Sequence, residues 1–186
     1  TEATNDFSGA VSLSNSGGND CALTDASALV LGAVGVGQNL AVISGGALTQ
    51  TGALTVPGTS NFNVGANDLT LGDVANDFTG AVTFTINAAN NLTIADASAF
   101  EIQSGLNVNN LTLTSGGAIT QAGALDVDGT SNFTSGANAI TLTDASNDFT
   151  GAVSLSNSGS NDVALTDASA LVLGTVGVGQ NLTVIS

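Results

Sequence analysis

Asn90-Asn91-Leu92-Thr93-Ile94 is followed 19 residues later by Asn109-Asn110-Leu111-Thr112-Leu113, and this phrase decides the fold. An amide residue and a small polar residue precede an apolar-small-apolar triplet. The triplet alternates with period two, so its apolar side chains share one face of a strand and Thr stands on the other. Six more copies begin at Asn19, Gln38, Asn67, Asn138, Asn161 and Gln180, and the spacings rotate through 19, 29 and 23 residues. Other alternating runs lie between them, among them Val11-Ser12-Leu13, Leu29-Val30-Leu31, Leu54-Thr55-Val56 and Phe62-Asn63-Val64.

The three spacings complete a longer period of 71 residues. Asn5-Asp6-Phe7 returns as Asn76-Asp77-Phe78 and Asn147-Asp148-Phe149, and Gly46-Ala47-Leu48-Thr49-Gln50 as Gly117-Ala118-Ile119-Thr120-Gln121. Residues 5–44 and 147–186 differ at five of forty positions, Ser8/Thr150, Gly18/Ser160, Cys21/Val163, Ala33/Thr175 and Ala41/Thr183. A fixed period without insertions makes each unit pack on the next in one geometry, as in a solenoid. The pattern predicts an all-β, parallel β-helix (β-solenoid) with about three coils per 71-residue repeat. Residues 1–186 read as one continuous solenoid of about 2.6 copies (5–75, 76–146 and a partial 147–186), cut from a longer chain in mid-repeat. Coils would stack at about 4.8 Å.

On that reading the eight leading amides, Asn19, Gln38, Asn67, Asn90, Asn109, Asn138, Asn161 and Gln180, form one column, and stacked amides can pass hydrogen bonds along it. The second column, Asp20, Asn39, Asp68, Asn91, Asn110, Ala139, Asp162, Asn181, never places two aspartates in succession, which avoids repulsion. Beyond the strands, Asp73 precedes Asp96, and Asp144 precedes Asp167, one motif copy later. Such a pair could share a hard cation such as calcium. The simpler reading is that each aspartate caps its own turn through an Asx-type bond, so no metal ligand is assigned.

Composition sets the chemistry. The chain has no Lys, Arg or His against 15 acidic residues. No side chain can neutralise a phosphate, so nucleic acid is excluded as a partner, and no apolar run reaches membrane-spanning length. Nucleophilic catalysis needs a base beside Ser, Thr or Cys, and only carboxylates are present. The chain also lacks the Trp and Tyr on which sugars are usually seated. No catalytic residue, cofactor site or cofactor is assigned, and the chain reads as no enzyme. Gly35-Val36-Gly37-Gln38 precedes neither helix nor cation, so these are turn glycines. Cys21 has Leu92 and Val163 as counterparts and reads as an inert thiol in an apolar core slot. The sequons at Asn91, Asn110, Asn132 and Asn181 arise mostly from the strand motif itself.

Gly116-Gly117-Ala118-Ile119-Thr120-Gln121-Ala122-Gly123-Ala124-Leu125, Asn147-Asp148-Phe149-Thr150-Gly151-Ala152-Val153-Ser154-Leu155 and Asn110-Leu111-Thr112-Leu113-Thr114 resemble repeats of large bacterial surface exoproteins of the filamentous-haemagglutinin type. The resemblance implies a right-handed parallel β-helix serving as the shaft of an extracellular adhesin or surface filament. Its partners would be neighbouring repeats of the same or identical chains, with any host receptor bound by modules outside this segment. The alternative is an ice-binding or other surface-binding solenoid, for which Thr70, Thr93, Thr112 and Thr141 would supply a flat outward array.

Overall fold

A computed structural model of the protein describes residues 2, 4–103 and 105–186. Among them are 23 strands and no helix, arranged in sheets of eleven, nine and three strands. Every pairing is parallel. Apart from Leu54–Val56 and Asp77–Phe78, which continue the eleven-stranded sheet from the end of Leu29–Gly35 onto a narrow side, the two large sheets form the broad sides of a β-solenoid of about nine turns. Strand alternation does what the triplet implies: Leu40–Ser44 reads buried, exposed, buried, exposed, buried. The inward residues form one continuous core that includes Leu29, Leu48, Leu69, Leu92 and Leu111. Each fully buried aliphatic side chain contributes roughly 1.5–3 kcal/mol relative to exposure.

The coil count differs from expectation in one respect that changes the register. Leu40 pairs with Ser60, not with Leu69. In the nine-stranded sheet seven steps lead from the strand Cys21–Asp25 to the strand Val163–Thr166, two full periods later. One 71-residue period therefore makes three and a half coils of about 20 residues, not three of about 24. The 29-residue spacing is one and a half coils. Its missing coil is carried by Ser60-Asn61-Phe62 and Ser131-Asn132-Phe133, which alternate like the other strands but lack the amide signature.

The half coil moves each repeat to the opposite broad side. Cys21–Asp25 lies in the nine-stranded sheet, its copy Leu92–Asp96 in the eleven-stranded sheet, and the next copy, Val163–Thr166, in the nine-stranded sheet again. The narrow third side obeys the same rule. Leu54–Val56 and Asp77–Phe78 follow strands of the eleven-stranded sheet, whereas Leu125–Val127 and Asp148–Phe149 follow strands of the nine-stranded sheet. The narrow side thus changes flank between the two halves.

Ser60 and Ser131 occupy inward positions between Leu40 and Val82 and between Leu111 and Val153, where their hydroxyls have no hydrogen-bond partner. Beside them Phe62 packs edge-to-face on Phe78 at 5.9 Å, and Phe133 on Phe149 at 6.2 Å. Cys21 packs against the core but stays half-buried, whereas its counterparts Leu92 and Val163 are each 1% exposed. The final coil, 172–185, leaves apolar side chains uncovered, with Val172 53% and Ile185 61% exposed.

Candidate functional site

The single amide column is overturned by the register. Asn19 and Gln38 lead strands of the nine-stranded sheet, Asn67, Asn90 and Asn109 lead strands of the eleven-stranded sheet, and Asn138, Asn161 and Gln180 return to the first. Four of the eight amides close their own turns instead. Asn19, Asn67, Asn138 and Asn161 each donate from Nδ2 to a carbonyl three residues back, at 2.6, 2.9, 3.0 and 2.9 Å.

The ladder runs in the second column. Asn91 donates to Asp68 from its backbone N–H at 2.8 Å and from Nδ2 at 3.2 Å. Asn110 Nδ2 donates to Asn91 Oδ1 at 2.7 Å, and Asn110 Oδ1 accepts from the N–H of Thr130 at 2.7 Å. Asp20, Asn39 and Thr59 repeat the scheme, as do Asp162 and Asn181. Each ladder begins on an aspartate because every amide donates towards that end, and a carboxylate accepts without donating. The N–H of Asn91 holds the Asp68 carboxyl below its ordinary value, with slight burial acting against it and the side chains of Asn91 and Asn90 assisting.

The pairing of Leu71 with Ile94 does not carry on to Asp73 and Asp96: Ala97 N donates to Asn76 O at 2.6 Å, which sets Asn76 rather than Asp73 opposite Asp96. The carboxylates of each predicted pair are engaged separately. Asp73 Oδ1 accepts the N–H of Ala75 at 3.0 Å, and Asp144 Oδ1 that of Ser146 at 2.9 Å, the Asx-type caps expected of a turn. Asp96 and Asp167 accept instead from the N–H groups of Phe78 and Phe149, both at 2.8 Å. Among the described residues no group of three potential metal-ligating acids or thiols comes together. The register also stacks Asp126 directly beside Asp148, a like-charge pair on the narrow side that the motif columns did not reveal. Asn107 Nδ2 donates to Asp126 at 2.8 Å and Ser169 Oγ to Asp148 at 2.9 Å.

The most heavily bonded polar group was hidden inside a recurrence already visible in the chain. Asn76 is 0% exposed. Its Oδ1 accepts from Leu54 N at 2.9 Å and Gln50 Nε2 at 2.8 Å, while Nδ2 donates to Gln50 Oε1, Leu71 O and Ala95 O at 3.0, 3.1 and 3.2 Å. Asn147 and Gln121 repeat the arrangement with Leu125, Leu142 and Thr166. One amide thereby pins three successive coils, and its signal was the joint recurrence of Asn76 and Gln50.

Thr70, Thr93 and Thr112 stand side by side on the eleven-stranded sheet, but Thr112 is followed by Asn132, and Thr141 lies on the other broad side. Register from Leu48 and Leu69 places Thr49 at the start of that file instead. Gly37 belongs to a tight approach of coils, where a Cβ would strike the Gly17 carbonyl and its N–H donates to Asn15 Oδ1 at 2.6 Å.

Residues 18–85 and 89–156 match a family described as repeats of unknown function (DUF5649). The chain belongs to that family. No curated protein and no solved structure matches it. The two matched segments are consecutive DUF5649 repeats, each spanning nearly one 71-residue period.

Proposed function

We propose that this DUF5649 chain is a structural, non-catalytic segment of an extracellular adhesin or surface filament of the filamentous-haemagglutinin type, and that it acts as a rigid shaft. The observation that carries the reading is the unbroken parallel stacking of units built on one 71-residue pattern, in which core, ladders and amide clasps recur without a catalytic constellation in any one copy. Stability in such an array is shared between neighbouring coils, so length can grow by repetition. Its partners are neighbouring repeats of the same or an identical chain, a reading supported by the parallel pairing of each repeat's strands with those of the next. A receptor would be met by modules outside this segment. The lack of Lys and Arg, which leaves trypsin-like proteases no cleavage site, suits an exterior location, and the all-acidic charge keeps parallel shafts apart.

Small-angle scattering on chains of increasing repeat number tests the shaft. Each added repeat should lengthen the particle by about 17 Å (three and a half coil spacings) at constant cross-section. A radius that grows in all directions refutes it. Labelling of intact cells from the native source, with an antibody to this segment, tests the location. The Thr49-Thr70-Thr93-Thr112 file supports the ice-binding alternative, which thermal hysteresis of the purified chain would reveal and its absence would remove.

A further inference from the structure

One carboxylate in each period is folded inside the tube: Asp25, Asp96 and Asp167 are 1%, 1% and 3% exposed. The central one, Asp96, accepts at Oδ1 from Phe78 N at 2.8 Å and at Oδ2 from Ser98 Oγ at 2.9 Å. A buried carboxylate is ordinarily offset by a neighbouring cation, and this chain contains none. The titratable group that faces Asp96 is another acid, Asp77 on the adjoining short strand, while the coil on one side presents uncharged Asn76 and the coil on the other uncharged Ser115. Burial pushes the Asp96 carboxyl above its ordinary value; the Phe78 N–H and the Ser98 hydroxyl and N–H pull it back, and the charge of Asp77 adds to the rise.

We propose that Asp96 is a proton-operated clasp between coils, which holds its corner more firmly when protonated in mild acid than when ionised at neutral pH. The neutral form keeps both contacts: Oδ1 still accepts from Phe78, and the Oδ2 proton is donated to Ser98 Oγ once that hydroxyl rotates. No bond to the neighbouring coil is lost, and the desolvated charge disappears. A carboxyl raised on folding binds its proton more tightly in the folded chain than in the unfolded one. Its stabilisation is therefore complete below the unfolded value of 3.8 and is lost as pH rises through the higher folded value. Exposed Asp68 acts in the opposite direction, its contribution vanishing as pH falls below 3.8, so the two separate on the pH axis.

Urea unfolding of the 186-residue chain between pH 4 and 8, in about 1 M salt to screen the exposed acids, tests the clasp alongside Asp96→Asn and, as an exposed control, Glu101→Gln. The unfolding constant of the parent chain should rise by up to about tenfold per pH unit in the window above 3.8. Asp96→Asn, whose amide imitates the protonated acid, should flatten that rise and raise the urea midpoint at pH 7, whereas Glu101→Gln should leave the profile unchanged. A profile for Asp96→Asn that parallels the parent, or a lower midpoint at pH 7, overturns the proposal. Carboxyl ¹³C titration of Asp96 in the parent chain decides independently of whether the variant folds: a midpoint at or below 3.8 overturns it, and one above supports it.

Discussion

Replacing Asn76 by Ala is the sharpest test of the coil register, because this one side chain joins three coils. The substitution strips a partner from the N–H of Leu54 and from the carbonyls of Leu71 and Ala95, while Gln50 keeps its bond to Gly52 O at 2.9 Å. A buried polar group left unmade costs roughly 1–3 kcal/mol. With only the Leu54 N–H and one carbonyl counted, the loss is about 2–6 kcal/mol, a large part of the roughly 5–15 kcal/mol that holds a typical domain together. Asn147→Ala should cost the same, since its bonds match those of Asn76 to within about 0.2 Å. Asn5 supplies the control: its Nδ2 donates to Thr24 O at 3.2 Å and the residue is only partly buried, so Asn5→Ala should cost less than about 1 kcal/mol. Urea titrations followed by circular dichroism provide the comparison. If Asn76→Ala and Asn5→Ala fall within about 1 kcal/mol of each other, the clasp is not what ties these coils.

Ser60→Ala and Ser131→Ala each remove a buried hydroxyl without a partner, so each should raise the urea midpoint, by an amount equivalent to about 1 kcal/mol, and a lowered midpoint would contradict the inward placement. Gly116→Ala should destabilise by about 1–3 kcal/mol, because the new methyl would run into the backbone carbonyl of Ala97 in the neighbouring coil. Gly9→Ala meets nothing within 4 Å and should be near neutral; equal effects at the two sites would show that coil spacing is not the constraint.

The solenoid was legible because triplets such as Leu92-Thr93-Ile94 fix which side chains point inward, whatever the coil length. The half coil was not. A 29-residue gap fits one long coil as well as one and a half ordinary ones, and the strand that decides between them begins with Ser60, a polar residue at a core position. Counted as three coils, the period merges three short amide groups into one column and puts the ladder in the first position, whereas the half coil separates the groups and leaves the ladder in the second. Recurrence of Asn76 and Gln50 was plain, but repetition alone does not say whether an amide faces water or the core. Asp96 was hidden in the same way, since an aspartate just past a strand reads as an exposed turn cap until the neighbouring short strand covers it.

The non-integral winding has a consequence for evolution by duplication. Gaining or losing one unit alters more than reach, because it also turns everything beyond it through half a revolution. Two units restore the original heading, as Val163–Thr166 does for Cys21–Asp25. Parity of the repeat number would therefore govern which way a terminal module points, and length variants that differ by even counts would present it alike.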